Sequence, residues 1–238
     1  MTDTQQINSM DRERQKSYAV DYTPRPVVMQ GIRMARSLCP QLSAIRRFAD
    51  PSAGAGVFGS VVRELWPDET LLSVAVEPRV EERVHLDRHH DAVYVDTFQA
   101  CAELEDFNAD LIATNPKFGL WPELVRWAWP RLSNRGVLLL YGLSTWGHSR
   151  EPSESSGTFE TYPPLYQMRI GGRVRHRVGF NDKGKPFGTD SRKYSWWLWD
   201  KSRPGTVGRH TTIDLPQLNP NELRFTAIPG TEVEEATQ

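Results

Sequence analysis

The sequence Asp50-Pro51-Ser52-Ala53-Gly54-Ala55-Gly56 lies between an apolar run at 44–49 and a helical pattern at 57–65. Glycine lacks a Cβ, so it adopts positive φ and lets the backbone approach a ligand closely. In open α/β sheets, ligands bind beyond the carboxyl ends of the strands. This segment therefore predicts a ligand-binding turn after the first strand of such a sheet, although similar turns also begin helices that bind nothing.

Alternating strand and helix patterns extend the same architecture along the chain. Apolar runs at 71–76, 92–95, 110–114 and 136–141 are separated by helical patterns at 79–89, 98–105 and 121–132. Near-continuous apolar runs such as Val137-Leu138-Leu139-Leu140 are typical of parallel strands that are buried on both faces. The alternation predicts a doubly wound, mostly parallel α/β sheet.

A different pattern occupies residues 168–199. Apolar residues of one parity (Met168, Ile170, Val174, Val178, Phe180) alternate with arginines of the other (Arg169, Arg173, Arg175, Arg177), which is typical of a strand. Residues 181–186 have the composition of a turn, and 194–199 form an aromatic-rich run. We expect a long antiparallel hairpin that closes the sheet, preceded by a mobile loop at 149–164 that is rich in Ser, Glu, Gly and Pro.

The composition indicates one globular domain. The chain has 238 residues, 38% of them apolar, and a formal net charge of -1. We expect a flexible N-terminal segment at 1–17, a single domain at 18–203 and a C-terminal extension with an acidic tail at 204–238. Two cysteines give no disulfide framework, and no apolar run approaches the ~18 residues of a membrane helix. The expected location is therefore the cytoplasm, with no membrane partner.

Three histidines, His85, His89 and His90, fall in a strongly charged stretch of the chain. Such a stretch is typical of a solvated helix surface, so we interpret these histidines as surface residues and expect no metal ion.

Polar residues follow the next two predicted strands as the glycine segment follows the first. Glu77 comes after 71–76, where its carboxylate suits two ribose hydroxyls. Asp96, Thr97 and Phe98 come after 92–95, where the acid suits an adenine amino group and the ring suits the base. Either carboxylate alone is typical of a solvated strand end, but three successive elements predict a nucleoside-binding site.

The segment after 110–114 reads Asn115-Pro116-Lys117-Phe118. It resembles the signature of the DNA amino-methyltransferases, which is Asp or Asn, Pro, Pro and an aromatic residue. The glycine segment resembles their glycine motif, and Tyr22-Thr23-Pro24 resembles the motif that precedes it in the N6-adenine group. The basic and aromatic run ending at 199 resembles the C-terminal strand pair of phage and plasmid members. The resemblance covers about 18–200 and departs from the family at Lys117, where proline is usual.

The resemblance implies a Rossmann-like class I methyltransferase that transfers a methyl group from S-adenosyl-L-methionine to the N6 amine of adenine in DNA. The implied cofactor-binding residues are Tyr22, Thr23, Pro24, Asp50, Pro51, Ala53, Gly54, Gly56, Glu77, Asp96, Thr97, Phe98 and Asn115. The implied catalytic residues are Asn115, Pro116 and Phe118. The Asn115 side-chain oxygen and the Pro116 carbonyl accept the two amine hydrogens, and Phe118 stacks on a base that has left the duplex.

Basic residues supply the expected nucleic-acid contacts. Eight Lys or Arg against two acids lie between 169 and 193, and the expected contacts are Lys117, Arg173, Arg175, Arg177, Lys183, Lys185, Arg192 and Lys193. Trp196, Trp197 and Trp199 suit base stacking, although at least one of the first two is expected in the core. Double-stranded DNA is the expected partner. An RNA adenine methyltransferase, a protein glutamine methyltransferase and an inactive nucleic-acid-binding fold stay as alternatives, and the oligomeric state stays open.

Overall fold

The structure, a computed structural model, describes residues 22–68, 70–146, 154–176 and 192–223. Its strands are β1 (Arg47–Asp50), β2 (Leu72–Val76), β3 (Ala92–Tyr94), β4 (Ala109–Thr114), β5 (Leu132–Leu143), β6 (Tyr166–Arg169), β7 (Tyr194–Asp200) and β8 (Thr211–Asp214). Its helices are α1 (Arg25–Leu38), α2 (Val57–Leu65), α3 (Arg83–Leu86), α4 (Trp121–Arg131) and α5 (Glu154–Thr161). Short 3-10 helices occupy Pro40–Ser43, Val80–Glu82 and Ala102–Leu104.

The eight strands form one sheet in the order β3-β2-β1-β4-β5-β7-β6-β8. Strands β1 to β5 pair with one another in parallel. Strand β7 runs antiparallel to both β5 and β6. The strand order reverses between β1 and β4, and such a reversal leaves a crevice at the carboxyl ends of the two strands. The predicted doubly wound, mostly parallel α/β fold is confirmed.

Three tryptophans of β7 fill the core on both faces of the sheet. Trp196 and Trp197 have no exposed surface, and Trp199 is 1% exposed. Side chains alternate along a strand, so Trp196 joins one apolar cluster while Trp197 and Trp199 join the other. The prediction that these rings stack on nucleic-acid bases is therefore wrong, because all three are core residues.

Helix α1 is an element that the sequence patterns do not predict. Its buried residues include Val28, Ile32 and Ala35, which share one face at helical spacing. A Cβ at Gly31 would lie 2.2 Å from the Trp196 indole. Glycine thus lets the helix backbone pack directly against that ring. Because Trp196 is far from Gly31 in the sequence, local patterns do not reveal this contact.

Three segments between the strands differ from expectation. The predicted helix at 98–105 contains only the 3-10 turn Ala102–Leu104, and the predicted helix at 79–89 is divided into Val80–Glu82 and α3. The predicted loop at 149–164 contains α5. Phe159 of α5 packs on Trp121 and Trp197, at centroid distances of 4.9 and 5.1 Å. This tertiary packing overrides a local composition that favours a loop.

The predicted C-terminal hairpin is shorter than expected. Strand β6 ends at Arg169, and Gly172 then takes φ +92°, so the chain turns away. Val178 and Phe180 lie outside the described residues. Strand β8 pairs in parallel with β6, and the Arg169 guanidinium donates to both carboxylate oxygens of Asp214 at 2.7 and 2.9 Å. The predicted end of the domain at 203 is therefore too early.

His90 is also placed differently from the prediction. It is 6% exposed, its Nδ1 lies 2.9 Å from the Ser73 hydroxyl, and its ring stacks on Phe48. Burial lowers the pKa of His90 to about 3, so it is a neutral core residue and the surface interpretation is wrong. Within the described ranges, no group of three or more His, Cys, Asp or Glu residues is arranged to hold a metal ion. No helix of the same ranges is long and apolar enough to cross a membrane.

Candidate active site

A cavity of about 450 Å³ opens at the carboxyl ends of β1, β2 and β4. Cavities of ~300–1,000 Å³ are typical of small-molecule sites. The predicted site residues that line it are Tyr22, Thr23, Pro51, Ala53, Gly54, Glu77, Thr97, Phe98, Asn115, Lys117 and Phe118. Those that lie in the same loops but outside the lining are Pro24, Asp50, Gly56, Asp96 and Pro116. The segments after β1 and β4 therefore meet at one cavity.

Two glycines shape the segment after β1. Gly54 has φ +54° and Gly56 has φ +81°, a region that favours glycine. Gly56 is the N-cap of α2, and a Cβ there would approach Leu86 to 3.0 Å. The backbone N–H of Ala53 donates to the carbonyl of Val76 at 3.1 Å, which joins the segment to the end of β2. The glycines thus allow both the turn and its close packing.

Asp50 ends β1 and is completely buried beneath this segment. Its Oδ1 accepts a hydrogen bond from the Ser52 N–H at 3.4 Å, and its Oδ2 has no hydrogen-bond partner among the described residues. Burial raises the pKa of Asp50 to about 7. Asp50 therefore supports the loop from below and does not contact the cavity.

Glu77 follows β2 and belongs to a buried network of ion pairs and hydrogen bonds. Its Oε1 accepts from Arg79 Nε at 2.6 Å, and its Oε2 accepts from the Gly54 N–H at 2.8 Å. Arg79 Nη1 also lies 3.0 Å from Glu82 Oε1. The Tyr22 hydroxyl donates to the same Glu82 oxygen at 2.5 Å. We call Tyr22, Glu77, Arg79 and Glu82 the carboxylate wall.

The protonation of the carboxylate wall follows from these contacts. Burial, followed by the hydrogen bond to Glu82, raises the pKa of Tyr22 to about 12, so the phenol keeps its proton. Burial lowers the pKa of Arg79, but the hydrogen bond and charge of Glu77 outweigh it, and the net direction is upward. Neither Arg79 nor Glu82 was among the site residues expected from the sequence. The only available signal was the position of Arg79 two residues after Glu77, because the contact of Glu82 depends on the turn at Val80–Glu82.

Asn115 follows β4 on the other side of the cavity. Its Nδ2 donates to Thr23 Oγ1 at 3.0 Å, and Thr23 is 2% exposed. Pro116 is buried and Lys117 is exposed. Among the described residues, no side-chain hydrogen bond or ion pair involves Lys117, so its ammonium is not fixed across the cavity.

Phe118 is half-buried between Tyr194, the first residue of β7, and Arg192, two residues earlier. Its ring centroid lies 6.0 Å from that of Tyr194, and the Arg192 guanidinium lies 5.6 Å from the Phe118 centroid. That distance is within the range of a cation–π contact. Phe118, which lines the cavity, is therefore held between an arginine and an aromatic residue.

The segment after β3 contributes less than predicted. Thr97 and Phe98 line the cavity, and Phe98 packs edge-on against Trp127 at 5.5 Å. Asp96 Oδ1 accepts the Thr97 N–H at 2.7 Å, and Asp96 does not line the cavity. The carboxylate accepts from the backbone of the next residue and lies outside the lining, so the predicted contact between Asp96 and an adenine base is not supported.

The basic residues expected at nucleic acid are only partly brought together. Lys117, Arg173, Arg192 and Lys193 are exposed, whereas Arg175 is half-buried. Lys117 lines the cavity, and Arg192 contacts the ring of Phe118 beside it. Arg177, Lys183 and Lys185 lie outside the described residues.

Solved structures share this architecture. The methyltransferase subunit of a type I restriction-modification system from Streptococcus thermophilus matches with TM-score 0.58 and 12% identity, over 85% of this chain and 51% of that chain. The M protein of the type I restriction enzyme EcoKI matches with TM-score 0.55 and 14% identity, over 84% of this chain and 50% of that chain. The chain has the class I methyltransferase fold.

A candidate RNA methyltransferase from Pyrococcus horikoshii has the same fold, with TM-score 0.51 and 16% identity over 72% of this chain and 82% of that chain. The present chain spans about half the length of the two type I subunits. No family model matches the sequence, and no curated protein matches it. At these identities the likeness concerns the fold alone.

Proposed function

We propose that the protein is an S-adenosylmethionine-dependent methyltransferase that acts on the N6 amine of adenine in DNA. The observation that carries the proposal is that the glycine segment, Glu77 and Asn115 line one cavity. The shared fold with type I restriction-modification methyltransferase subunits supports DNA as the substrate.

The lining residues fit an adenosyl group. Glu77 lines the cavity with carboxylate oxygens that suit ribose hydroxyls. Gly54 also lines it and has no side chain, so a bound ligand can lie close to the backbone there. Thr97 and Phe98 give a partly apolar wall for a purine ring. When bound, S-adenosylmethionine supplies an electrophilic methyl group.

The residues after β4 suit a planar amine. The lone pair of an adenine amine is delocalised into the ring, so the amine is a weak nucleophile. The Asn115 side-chain oxygen and the Pro116 carbonyl accept its two hydrogens, which localises the lone pair toward the methyl donor. This is catalysis by alignment and fixed dipoles: the nitrogen would gain the methyl group as the methyl–sulfur bond breaks, and the methylated amine would then release one proton to water. Phe118 stacks on the base, which has left the duplex to reach the cavity.

Exposed cations support a nucleic-acid substrate at the same edge of the sheet. Lys117 lines the cavity, Arg192 is exposed against the ring of Phe118, and Lys193, the next residue, is also exposed. Phosphate contacts by such side chains provide most of the sequence-independent affinity for DNA. On this proposal, the lysine that replaces the usual second proline contacts a phosphate instead of stiffening the loop.

The direct test is methyl transfer from radiolabelled S-adenosylmethionine to unmethylated double-stranded DNA by the purified full chain. After digestion, the label is expected in N6-methyladenine. The Asn115→Ala variant is expected to transfer about 100- to 1,000-fold more slowly, as when one fixed polar group of a reaction site is removed. The control is Asn134→Ala, an exposed asparagine on β5.

The other outcomes separate the alternatives. Label in RNA but not in DNA would support an RNA adenine methyltransferase; the Pyrococcus horikoshii protein that shares this fold is itself a candidate RNA methyltransferase. Binding of S-adenosylhomocysteine without transfer to double-stranded DNA, single-stranded DNA or RNA would contradict the enzyme and support a non-catalytic protein with this fold.

A further inference from the structure

Residues 22–24, which we call the strap, cross the cavity from the carboxylate wall to Asn115. The Tyr22 hydroxyl donates to Glu82, and Thr23 Oγ1, one residue later, accepts from Asn115 Nδ2. The carbonyl of Pro24 accepts from the Val28 N–H at 3.1 Å, which fixes the strap to α1. Two adjacent residues thus contact opposite sides of one cavity.

The bond to Thr23 holds the Asn115 amide in place, with Nδ2 directed toward the Thr23 hydroxyl. The oxygen and nitrogen of an asparagine amide exchange places when the group rotates by half a turn. Because Nδ2 donates to Thr23, the side-chain oxygen lies on the opposite side of the amide. Thr23 is 2% exposed, so water does not readily replace this contact. The proposed function depends on where that oxygen lies.

The other end of the strap is linked to Glu77. A carboxylate offers about four acceptor positions. Glu77 already accepts from Arg79 Nε, from the Arg79 backbone N–H at 3.3 Å and from the Gly54 N–H. A ribose diol needs two acceptors, so it competes with Arg79 for Glu77. Arg79 also contacts Tyr22 and Glu82, with the guanidinium 5.9 Å from the Tyr22 ring centroid.

We propose that the strap is a positioning element, in which Thr23 orients the Asn115 amide and Tyr22 transmits the state of Glu77 and Arg79 to Thr23. The inference rests on the proposed function, because it gives the Asn115 orientation its chemical meaning. Occupation of the ribose end of the cavity then adjusts the acceptor oxygen at the other end. Thr23 and Tyr22 act through Asn115 and are positioning residues.

The test uses the side-chain amide signals of Asn115 in NMR spectra of the 15N-labelled full chain, identified by their loss in Asn115→Asp. Thr23→Val is expected to shift these signals and to speed their hydrogen exchange about fivefold, the effect of losing one net hydrogen bond. Thr23→Ser keeps the hydroxyl and is expected to restore the wild-type signals. Tyr22→Phe is expected to give a smaller shift in the same direction.

Matched controls are Thr211→Val on β8 and Tyr166→Phe on β6, which are expected to leave the Asn115 signals unchanged. Addition of S-adenosylhomocysteine is expected to shift the signals in the wild type and to shift them less in Tyr22→Phe. Unchanged Asn115 signals in Thr23→Val, or an unaltered ligand response in Tyr22→Phe, would overturn the inference.

This readout does not require turnover. A wild type that transfers no methyl group but shows the Thr23 and Tyr22 effects would refute the proposed function and support the strap. A wild type that transfers methyl groups without those effects would support the proposed function and refute the strap.

Discussion

The two sides of the cavity differ in how their charges are arranged. In the carboxylate wall, the exposed fractions of the Glu77, Arg79 and Glu82 side chains are 6%, 18% and 9%, and each charge contacts an opposite one. On the other side, Lys117 and Arg192 are exposed beside the ring of Phe118. A buried, internally paired wall is preorganised for a small ligand, whereas exposed cations suit a large polyanion. If the proposed function holds, this difference predicts that cofactor and nucleic acid are recognised by separate parts of one cavity.

Among variants that distinguish the two sides, the largest expected effect comes from breaking the carboxylate wall. Glu77→Gln removes the charge that binds Arg79 and weakens the acceptor for the ribose. A hydrogen bond to a charged group contributes ~1.5–3 kcal/mol, so calorimetry should show S-adenosylhomocysteine affinity reduced about 10- to 100-fold. The matched control is Glu64→Gln, because Glu64 forms an exposed ion pair with Arg25 on the helix surface. Equal affinities of Glu77→Gln and wild type would remove Glu77 from the binding site.

A second, intermediate effect concerns Asp50, the acid buried beneath the glycine segment. The pKa of Asp50 is raised from 3.8 to about 7 in the folded chain, so the native state holds this proton more tightly than the unfolded state does. The resulting stability is fully present below pH ~4 and is lost as the pH rises to about 7. The free energy of unfolding should therefore fall relative to Asp50→Asn by at most about 1.4 kcal/mol per pH unit in this window. Urea unfolding of both proteins at several pH values measures this difference. If the free energies of unfolding of the wild type and Asp50→Asn change in parallel with pH, Asp50 is ionised in the folded chain.

The smallest expected effect comes from the exposed side. Lys117→Ala should leave S-adenosylhomocysteine affinity within about twofold of the wild type, because the lysine takes no part in the paired wall. The slope of log DNA affinity against log salt should decrease by about one unit, as expected for one lost phosphate contact. Arg46→Ala is the control, since Arg46 is exposed at the opposite edge of the sheet. A reduced cofactor affinity with an unchanged salt slope would reverse the assignment of the two sides.

The loops after β1, β2 and β4 could be predicted because each is encoded within about ten residues. An apolar run is followed directly by glycines, by Glu77 or by Asn115, and parallel strands bring their carboxyl ends to the same edge. The sequence did not indicate Arg79 and Glu82 as partners of Glu77 and Tyr22. Those contacts depend on the path of the chain after β2 and on the strap.

The C-terminal part was predicted less well because its pairing is long-range. Met168, Ile170 and Val174 are buried as the period of two predicts, yet the strand ends at Arg169. Alternating burial needs only an extended chain against the core and not a paired strand. Helix α1 on Trp196 and β8 on β6 likewise depend on residues that are distant in the sequence.

The central claim is that a methyl donor and a planar amine meet between the glycine segment and Asn115. A crystal structure of the full chain with S-adenosylhomocysteine tests it most directly. The account predicts ribose hydroxyls on Glu77, the purine ring beside Phe98 and the sulfur facing the Asn115 side-chain oxygen. A ligand bound outside this cavity, or a sulfur directed away from Asn115, would contradict it.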